Sequence, residues 1–360
     1  MRLEKPLAPR ATIGILGGGQ LGRMLAMAAA QLGLKSHIFA PEIDSPAFQV
    51  AFAHTMAGYH DYAALENFAR AVDVVTYEFE NVPGDTAAFL EARCVLAPNS
   101  AALKTAQDRV DEKNFIASLN IPVAPFAPVE GEDDLLKAID IIGRPAVLKT
   151  RRFGYDGKGQ TRILADTSLA VAWADIGKSP AILEGFIAFE MEISVIAARG
   201  WDGAVAVYDV PENAHENHIL RTSTVPARIM EETNVAARVM ARKIISALDY
   251  VGVMGIEMFV AGKDLIVNEI APRVHNSGHW TQDACVVSQF EQHIRAIAGW
   301  PLGDTRRHSN VVMHNILGKE ARKWAEYASL EQTAVHYYGK AEPRRGRKMG
   351  HINVLTPRQG

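Results

Sequence analysis

The first hundred residues repeat one pattern, in which a short apolar run is followed by a helical stretch. Apolar runs lie at Ala11–Leu16, Ser36–Phe39 and Val72–Thr76, and a helical pattern covers Leu21–Leu32. Short apolar strands that alternate with helices are typical of βαβ units, in which the strands are parallel and helices cover the sheet. The pattern therefore predicts a parallel α/β sheet at the start of the chain.

The middle of the chain changes from this pattern to strand-rich segments. The stretch Asn99–Asn120 predicts one or two helices that end before Pro122, because a proline disfavours helix at the residue before it. From Pro145 onward, strands are predicted at Ala146–Lys149, Gln160–Leu164, Ala181–Leu183, Glu192–Ala197 and Ala204–Tyr208. Antiparallel pairing is expected there. A chain of 360 residues is longer than one core usually organises, so two or three domains are expected.

Charge and cysteine content exclude several classes of protein. The formal net charge of −3 gives no overall attraction to nucleic acid or acidic lipid, so small molecules are the expected partners. Cys94 and Cys285 lie far apart, which argues against a disulfide framework or a zinc site. No apolar run reaches the roughly 18 residues that a membrane span needs, and no export signal is evident. A cytoplasmic protein without membrane contact is predicted.

A glycine-rich turn joins the first predicted strand to the first predicted helix. Gly17–Gly22 fits the pattern G-x-G-x-x-G, and Glu42 follows about 20 residues later, as in a dinucleotide-binding fingerprint. Glycines let backbone N–H groups at a helix N-terminus approach an anion, and any phosphate can use them. Three interpretations stay open: a nicotinamide or flavin cofactor, a phosphorylated substrate, or a tight turn without a ligand.

A second glycine loop, Gly154–Gln160, follows the strand that ends at Lys149. Its backbone N–H groups would cover a triphosphate, and a lysine on the preceding strand would neutralise charge. It is not a Walker motif, because no G-K-[ST] sequence opens a helix here. The alternative is an ordinary surface hairpin turn.

Two glutamates lie on strands that the sequence joins as a hairpin. A helical pattern at Glu231–Leu248 precedes strands at Val253–Val260 and Leu265–Ile270. A turn centred on Lys263 pairs Phe259 with Val267, and Glu257 with Glu269. Directly opposed carboxylates repel unless a cation compensates, and magnesium favours a few carboxylates together with substrate phosphates. The pattern predicts a divalent-cation site; the alternative is a register slip that turns one glutamate to solvent.

The loop after Glu269 is dense in hydrogen-bond donors. Arg273 offers a planar fork that matches carboxylate or bicarbonate, and His275 and Asn276 could orient the same anion. His279 and Trp280 are interpreted as packing residues outside the catalytic set.

Four segments together resemble a known family. They are Gly-Gly-Gln-Leu-Gly-Arg at 18–23, Gly-Tyr-Asp-Gly-Lys-Gly-Gln at 154–160, the string Asn-Glu-Ile-Ala-Pro-Arg-Val-His-Asn-Ser-Gly-His-Trp-Thr at 268–281, and Gly-Arg-Lys-Met-Gly-His at 346–351. The chain resembles the 5-(carboxyamino)imidazole ribonucleotide synthetases, the ATP-grasp carboxylases of purine biosynthesis. The resemblance covers nearly the whole chain, and the string at 268–281 is its most specific part.

The resemblance implies an α/β (α+β) ATP-grasp fold with three domains. These are an N-terminal parallel-sheet substrate domain (residues 1–120), a small α+β lid domain (121–187) and a larger antiparallel-sheet domain (188–360). It also implies ATP, Mg²⁺ (with Mn²⁺ as a substitute) and bicarbonate as cofactors or co-substrate, aminoimidazole ribonucleotide as substrate, and a homodimer.

Site roles follow from the same resemblance. The expected ATP-binding residues are Arg109, Lys113, Lys149, Gly154, Tyr155, Asp156, Gly157, Lys158, Gly159, Gln160, Glu184, Gly185, Phe186, Ile187, Glu192, His215 and Asn268. The expected ribonucleotide-binding residues are Gln20, Leu21, Glu78 or Glu80, Tyr155, Lys340 and Arg347. The expected metal ligands are Glu257 and Glu269, and the expected bicarbonate-handling residues are Arg273, His275 and Asn276.

The competing hypotheses differ in which motifs they explain. Another ATP-grasp ligase would share the glutamate pair and the second loop but not the string at 268–281. A nicotinamide-dependent dehydrogenase would use the first glycine turn and leave the second unexplained. A non-catalytic ATP sensor would bind ATP without turnover.

Overall fold

The computed structural model describes residues 1–154 and 157–358. Its N-terminal part is a parallel sheet of four strands in the order β3-β2-β1-β4. The strands are β1 (Thr12–Leu16), β2 (Lys35–Ala40), β3 (Ala53–Met56) and β4 (Val74–Tyr77), and the helices are α1 (Gln20–Gln31), α2 (Tyr62–Arg70) and α3 (Gly84–Glu91), with a 3₁₀ turn at Pro46–Gln49. The predicted parallel α/β sheet is confirmed.

Two helices lead from this sheet to the middle of the chain, α4 (Ser100–Gln107) and α5 (Arg109–Ser118). They are separate because Asp108 has an extended backbone, and its carboxylate accepts the N–H of Val110 at 3.0 Å. An aspartate at this position satisfies helix donors that would otherwise lack partners.

The central part is an antiparallel sheet in the order β5-β8-β6-β7. It consists of β5 (Phe126–Val129), β6 (Ala146–Thr150), β7 (Gln160–Ile163) and β8 (Ala181–Gly185), with α6 (Glu132–Ile142) and α7 (Leu169–Asp175). A separate apolar core joins the helices to this sheet.

The C-terminal part is built on a sheet of nine strands. The strands are β9 (Met191–Arg199), β10 (Val205–Val207), β11 (Glu212–Glu216), β12 (Ile219–Val225), β13 (Gly252–Ala261), β14 (Asp264–Ala271), β15 (Ser309–Leu317), β16 (Thr333–Tyr337) and β17 (Lys348–Pro357). The helices are α8 (Glu231–Ala247), α9 (Thr281–Ala284), α10 (Gln289–Ile297) and α11 (Trp324–Ala328), with 3₁₀ turns at Asn276–Gly278 and Gly318–Lys323. All neighbouring strands in it are antiparallel.

The β13–β14 hairpin corrects one predicted pairing and confirms another. Phe259 faces Ile266, not Val267, because the turn contains two residues between the pair Ala261 and Asp264. A β-bulge then inserts one residue into β14, so Glu257 faces Glu269 as predicted.

Each of the three sheets falls inside one of the three segments predicted for the domains. Within the described residues, none of the helices has the length and apolar character that a bilayer-spanning segment needs.

Candidate active site

A cavity of about 510 Å³ lies where the three sheets meet, and most of the predicted site residues line it. They are Gln20, Leu21, Glu78, Glu80, Arg109, Lys149, Gly154, Gly157, Lys158, Gln160, Glu184, Gly185, Phe186, Ile187, Glu192, His215, Glu257, Asn268, Glu269, Arg273, His275 and Asn276. Lys113, Gly159, Lys340 and Arg347 do not line it. Tyr155 and Asp156 lie outside the described residues.

The N-terminal glycine turn is occupied by a protein carboxylate. Glu78, which follows β4, accepts the N–H of Gly19 at 2.8 Å and that of Gly22 at 3.0 Å. A Cβ at position 19 would lie 2.5 Å from Oε1 of Glu78, so this glycine makes room for the side chain. Burial raises the pKa of Glu78, although these two hydrogen bonds act in the opposite direction. The turn therefore binds its own acidic side chain where a dinucleotide phosphate would need the same donors.

The two glutamates of the hairpin have different partners: Glu269 pairs with an arginine, and Glu257 pairs with a histidine. Arg109 Nη1 lies 2.9 Å from Glu269 Oε2, and His275 Nε2 lies 3.2 Å from Glu257 Oε1. Burial and then the charge of Glu269 raise the pKa of Glu257. Burial would also raise the pKa of Glu269, but the Arg109 guanidinium outweighs it and lowers that pKa. The pair therefore divides into one carboxylate that stays ionised and one that holds a proton more readily.

The bulge between these glutamates rests on a buried lysine. Lys113 is completely buried, and its Nζ donates to the carbonyl oxygens of Val267 at 3.3 Å and Asn268 at 2.7 Å. It also lies 3.7 Å from Glu184 Oε2. Lys113 therefore does not line the cavity, but its hydrogen bonds to the β14 backbone stabilise the bulge that presents Asn268 and Glu269 to it.

The oxygen atoms around the bulge suit a hard divalent cation. The carboxylates of Glu257 and Glu269 face the cavity beside Asn268, whose side-chain oxygen is buried without a hydrogen-bond partner. Within the described residues, no three His, Cys, Asp or Glu side chains converge in the manner of an all-protein metal cage. Two carboxylates and an amide oxygen fit magnesium, which usually keeps waters or substrate phosphates in its remaining positions.

Lys149 and Glu184 form a charged pair on neighbouring strands β6 and β8. Lys149 Nζ lies 2.9 Å from Glu184 Oε2. Burial alone would raise the pKa of Glu184, but the ammonium groups of Lys149 and Lys113 lower it to about 2. The other carboxylate oxygen of Glu184 is buried without a partner, so it can accept a hydrogen bond from a bound molecule.

Arg273 and His275, which were predicted to bind an anion, both line the cavity. Arg273 Nε forms an ion pair with Glu80, and its Nη1 donates to the carbonyl oxygen of Val274 at 3.1 Å. Burial and then the nearby Arg273 lower the pKa of His275 to about 3, so the imidazole is neutral. Its Nδ1 faces the hydroxyl of Ser277 at 2.8 Å and the backbone N–H of Ser277 at 3.4 Å. Because that N–H can only donate, Nδ1 is assigned as the acceptor and Nε2 as the protonated nitrogen facing Glu257.

Asn276 exchanges two hydrogen bonds with Asn315. Asn276 Nδ2 donates to Asn315 Oδ1 at 3.0 Å, and Asn315 Nδ2 donates to Asn276 Oδ1 at 2.9 Å. This pairing fixes the amide plane of Asn276 at the cavity wall.

The basic C-terminal segment reaches the cavity through a residue that sequence analysis missed. Lys348 lines the cavity, and its carbonyl oxygen accepts a hydrogen bond from Lys340 Nζ at 2.8 Å. Lys340 itself lines a second, more apolar cavity of about 720 Å³. Arg347 Nη1 donates to the carbonyl oxygen of Glu342 at 2.9 Å.

Sequence analysis also missed several apolar and polar residues of the wall. Phe189 and Phe259 are stacked with ring centroids 4.5 Å apart, close to Phe186 of the predicted set in the same cavity. The other missed residues of the wall are Phe79, Asn81, Ala124, Val147, Arg162, His218 and Leu220. Phe259 lies two residues after Glu257 on one strand, and this alternation was a usable signal for a shared face. Arg162 and His218 carried no such signal.

Known proteins match this chain along almost its whole length. Three family models match the chain: a ribonucleotide synthetase preATP-grasp domain at residues 10–107, an ATP-grasp domain at 114–290, and a phosphoribosylaminoimidazole carboxylase C-terminal domain at 311–360. The N5-carboxyaminoimidazole ribonucleotide synthase of Brucella melitensis is 52% identical over 98% of both chains. That of Bacillus subtilis is 42% identical over 96% of this chain and 92% of its own length.

This chain belongs to the N5-carboxyaminoimidazole ribonucleotide synthase family. The family consists of ATP-grasp ligases, so the predicted family and fold are both confirmed. A solved synthetase of the family in its ADP complex has a TM-score of 0.95 at 43% identity, covering 98% of this chain and 94% of its own. The Aspergillus clavatus enzyme, in complex with ADP and 5-aminoimidazole ribonucleotide, has a TM-score of 0.91 at 30% identity, covering 97% and 94%. Family membership also excludes the dehydrogenase interpretation of the first glycine turn.

Proposed function

We propose that this chain uses ATP and bicarbonate to carboxylate 5-aminoimidazole ribonucleotide, giving N5-carboxyaminoimidazole ribonucleotide for purine biosynthesis. One observation supports this most directly: an opposed pair of glutamates and an arginine–histidine anion site share one cavity. The first arrangement suits a metal–nucleotide, and the second suits a small planar oxyanion. The names and complexes of the relatives agree with the same reaction.

In the proposed mechanism, a bicarbonate oxygen attacks the γ-phosphorus of ATP, and the bond to ADP breaks. The ATP phosphates are held by Lys149, Arg109 and the loop at 154–160. The bicarbonate is oriented by the cationic Arg273 and the neutral imidazole of His275. Glu257, Glu269 and Asn268 would hold magnesium, which when bound would supply positive charge for the transferred phosphoryl group. The protein contributes chiefly by positioning and electrostatic stabilisation, as phosphoryl transfer generally requires.

In the second half of the reaction, the exocyclic amine of the ribonucleotide forms a bond to the carboxyl carbon of carboxyphosphate. The carbon–oxygen bond to phosphate breaks, phosphate leaves, and the amine nitrogen releases a proton. Gln20, Leu21 and either Glu78 or Glu80 would hold the aminoimidazole ribonucleotide, and Tyr155 is proposed as a further contact. Lys340 and Arg347 are proposed for its phosphate, with Lys348 as an additional cation at the cavity wall.

The remaining nucleotide contacts are assigned in the same way. Glu184–Ile187 would line the adenine pocket beside the stacked Phe189 and Phe259, and Glu192 with His215 would hold the ribose. His215 Nδ1 lies 3.1 Å from Glu192 Oε2, and this carboxylate raises the pKa of His215 against the opposite effect of burial.

We also propose domain boundaries at residues 120 and 187, a cytoplasmic location and a homodimer. Analytical ultracentrifugation tests the dimer directly, and a sedimentation coefficient of a 39.3 kDa particle at working concentration would contradict it.

The decisive test measures ADP release with bicarbonate and aminoimidazole ribonucleotide added singly and together. We expect full turnover only with both, together with carboxylated product. Arg273→Ala should abolish carboxylation while ATP binding stays close to wild type. Arg306→Ala, which removes an exposed arginine, serves as the matched control. Wild-type bicarbonate-dependent ADP release in Arg273→Ala would refute the role of Arg273, and turnover without either co-substrate would refute the proposed reaction.

A further inference from the structure

We propose that Gln289 is a positioning residue, which holds the peptide groups of His275 so that the imidazole keeps its orientation toward bicarbonate. Gln289 is the first residue of α10 and is completely buried. It does not line the cavity, whereas His275, to which it is hydrogen-bonded, does. This inference rests on the proposed function, because that proposal assigns bicarbonate to His275.

The side-chain amide of Gln289 binds both main-chain polar groups of His275. Its Oε1 accepts the N–H of His275 at 2.9 Å, and its Nε2 donates to the carbonyl oxygen of His275 at 2.7 Å. The N–H can only donate and the carbonyl oxygen can only accept, so the two bonds together fix which end of the amide is which. This resembles one rung of a β-ladder supplied by a side chain.

Neighbouring residues hold the Gln289 side chain in place and leave space for its amide. Its second N–H points to Nδ1 of His279 at 3.0 Å, and the backbone N–H of Gln289 donates to Thr281 Oγ1 at 2.9 Å. A Cβ at position 278 would lie 2.7 Å from Gln289 Oε1, so Gly278 leaves the space that the amide fills. Both N–H groups of the amide and its oxygen therefore have partners, and the loop that carries His275 is held on the side away from the cavity.

The consequence for the reaction is geometric. The His275 imidazole is held at Nδ1 by Ser277 and faces Glu257 through Nε2, so its direction depends on where the His275 backbone lies. A shift of about 1 Å in a reacting group can reduce turnover by about 100-fold. Loss of the two hydrogen bonds between the Gln289 side chain and the His275 backbone should therefore impair bicarbonate use while leaving ATP binding unchanged.

The same helix offers a matched control. Gln292 is also completely buried, and its side-chain amide binds the N–H and the carbonyl oxygen of Gly303 at 2.7 and 2.9 Å. Gln292→Met removes the same two kinds of hydrogen bond without touching the His275 loop. It reports what the loss of a buried amide does to folding alone.

The experiment compares Gln289→Met, the isosteric Gln289→Glu, Gln292→Met and His275→Asn. The measurements are the KM values for bicarbonate and ATP, and the ratio of ADP released to carboxylated product. We expect both Gln289 variants to lose roughly 10- to 100-fold in kcat/KM for bicarbonate. Their ratio of ADP to product should rise above one, and their KM for ATP should stay within about twofold of wild type. Gln289→Glu keeps an acceptor for the His275 N–H, but its second oxygen would repel the His275 carbonyl oxygen, so it should lose at least as much as Gln289→Met.

Wild-type bicarbonate kinetics and coupling in the Gln289 variants would overturn the inference. It would also be overturned by equal losses in Gln292→Met, or if neither Gln289 variant folds while Gln292→Met does. His275→Asn separates this outcome from the proposed function: normal bicarbonate use in that variant refutes the role of His275 itself, whatever Gln289 does.

Discussion

Glu257 on β13 and Glu269 on β14 face each other directly, although the turn between their strands would by itself pair Glu257 with Asn268. Without the bulge, Glu269 would face Ile256, and its side chain would point to the apolar side of the sheet, since strand residues alternate between faces. The one-residue insertion therefore moves a carboxylate from the core side to the cavity. A bulge that redirects a side chain at a functional site is a recurrent use of this irregularity.

The first prediction concerns these carboxylates. Glu257→Gln and Glu269→Gln should each raise the Mg²⁺ concentration for half-maximal ADP formation by at least about 10- to 100-fold, the range seen even for residues that only support metal ligands. Magnesium titrations of ADP release measure this. Asp264→Asn, which neutralises an exposed aspartate on β14, the strand that carries Glu269, is the control and should leave the magnesium dependence unchanged. An unaltered dependence in both glutamine variants would exclude the proposed metal site.

The second prediction concerns the support of the bulge. Lys113→Met should lower the free energy of unfolding by about 1–3 kcal/mol, because it removes the buried donor to the carbonyl oxygens of Val267 and Asn268, while Glu184 keeps Lys149 as its partner. The magnesium dependence should weaken too, although Lys113 does not line the cavity. Urea unfolding and magnesium titration measure the two effects. Lys104→Met, at an exposed position on α4, should change neither.

The third prediction concerns the glycine turn. Gly19→Ala should push Glu78 from its position, because the added Cβ would lie 2.5 Å from Oε1 of that carboxylate. Overpacking of this kind costs about 1–3 kcal/mol. We expect a raised KM for the ribonucleotide and an unchanged KM for ATP, measured by steady-state kinetics. Gly58→Ala, which adds a Cβ to open space in the same part of the chain, is the control. A change confined to ATP would contradict the assignment of this turn to the ribonucleotide.

The fourth prediction concerns acid stability. His293 accepts the N–H of Val253 at 3.0 Å and lies 2.8 Å from Thr76 Oγ1, and burial lowers its pKa to about 3. An unfolded chain has a histidine pKa near 6.5. Between these values the unfolded state binds more protons, so stability should fall as pH decreases from about 6.5 towards 3.

Comparison of the wild type with a His293 variant isolates the contribution of this histidine to the pH dependence of stability. His293→Gln should reduce the slope of unfolding free energy against pH by about 1.4 kcal/mol per pH unit in that window. Urea titrations at pH 7.5, 6.5, 5.5 and 4.5 would measure the slope. His60→Gln, at an exposed histidine, should leave it unchanged. Equal slopes in wild type and His293→Gln would show that His293 is not a neutral buried group.

Local pattern predicted about half of the secondary-structure elements of the described residues, and the resemblance to the family supplied most of the predicted site residues. The parallel N-terminal sheet, the separate strands of the central part and the β13–β14 hairpin follow from apolar periodicity and turn residues, which act over a few positions. The specific string at 268–281 likewise indicated the anion-handling residues and the family before any contact was known.

The tertiary structure decided the relationships between distant residues. That Glu78 fills the glycine turn, that Lys113 supports the bulge and that Gln289 binds the His275 backbone all depend on contacts across 14 to 155 positions. The glycine pattern at Gly17–Gly22 can bind either a phosphate or a carboxylate. Only the tertiary structure places the Glu78 carboxylate at this turn. The chain by itself determined which chemical groups were available, because those are properties of residues. The fold determined which groups compensate each other's charge, because Coulomb and hydrogen-bond energies depend on distance and burial.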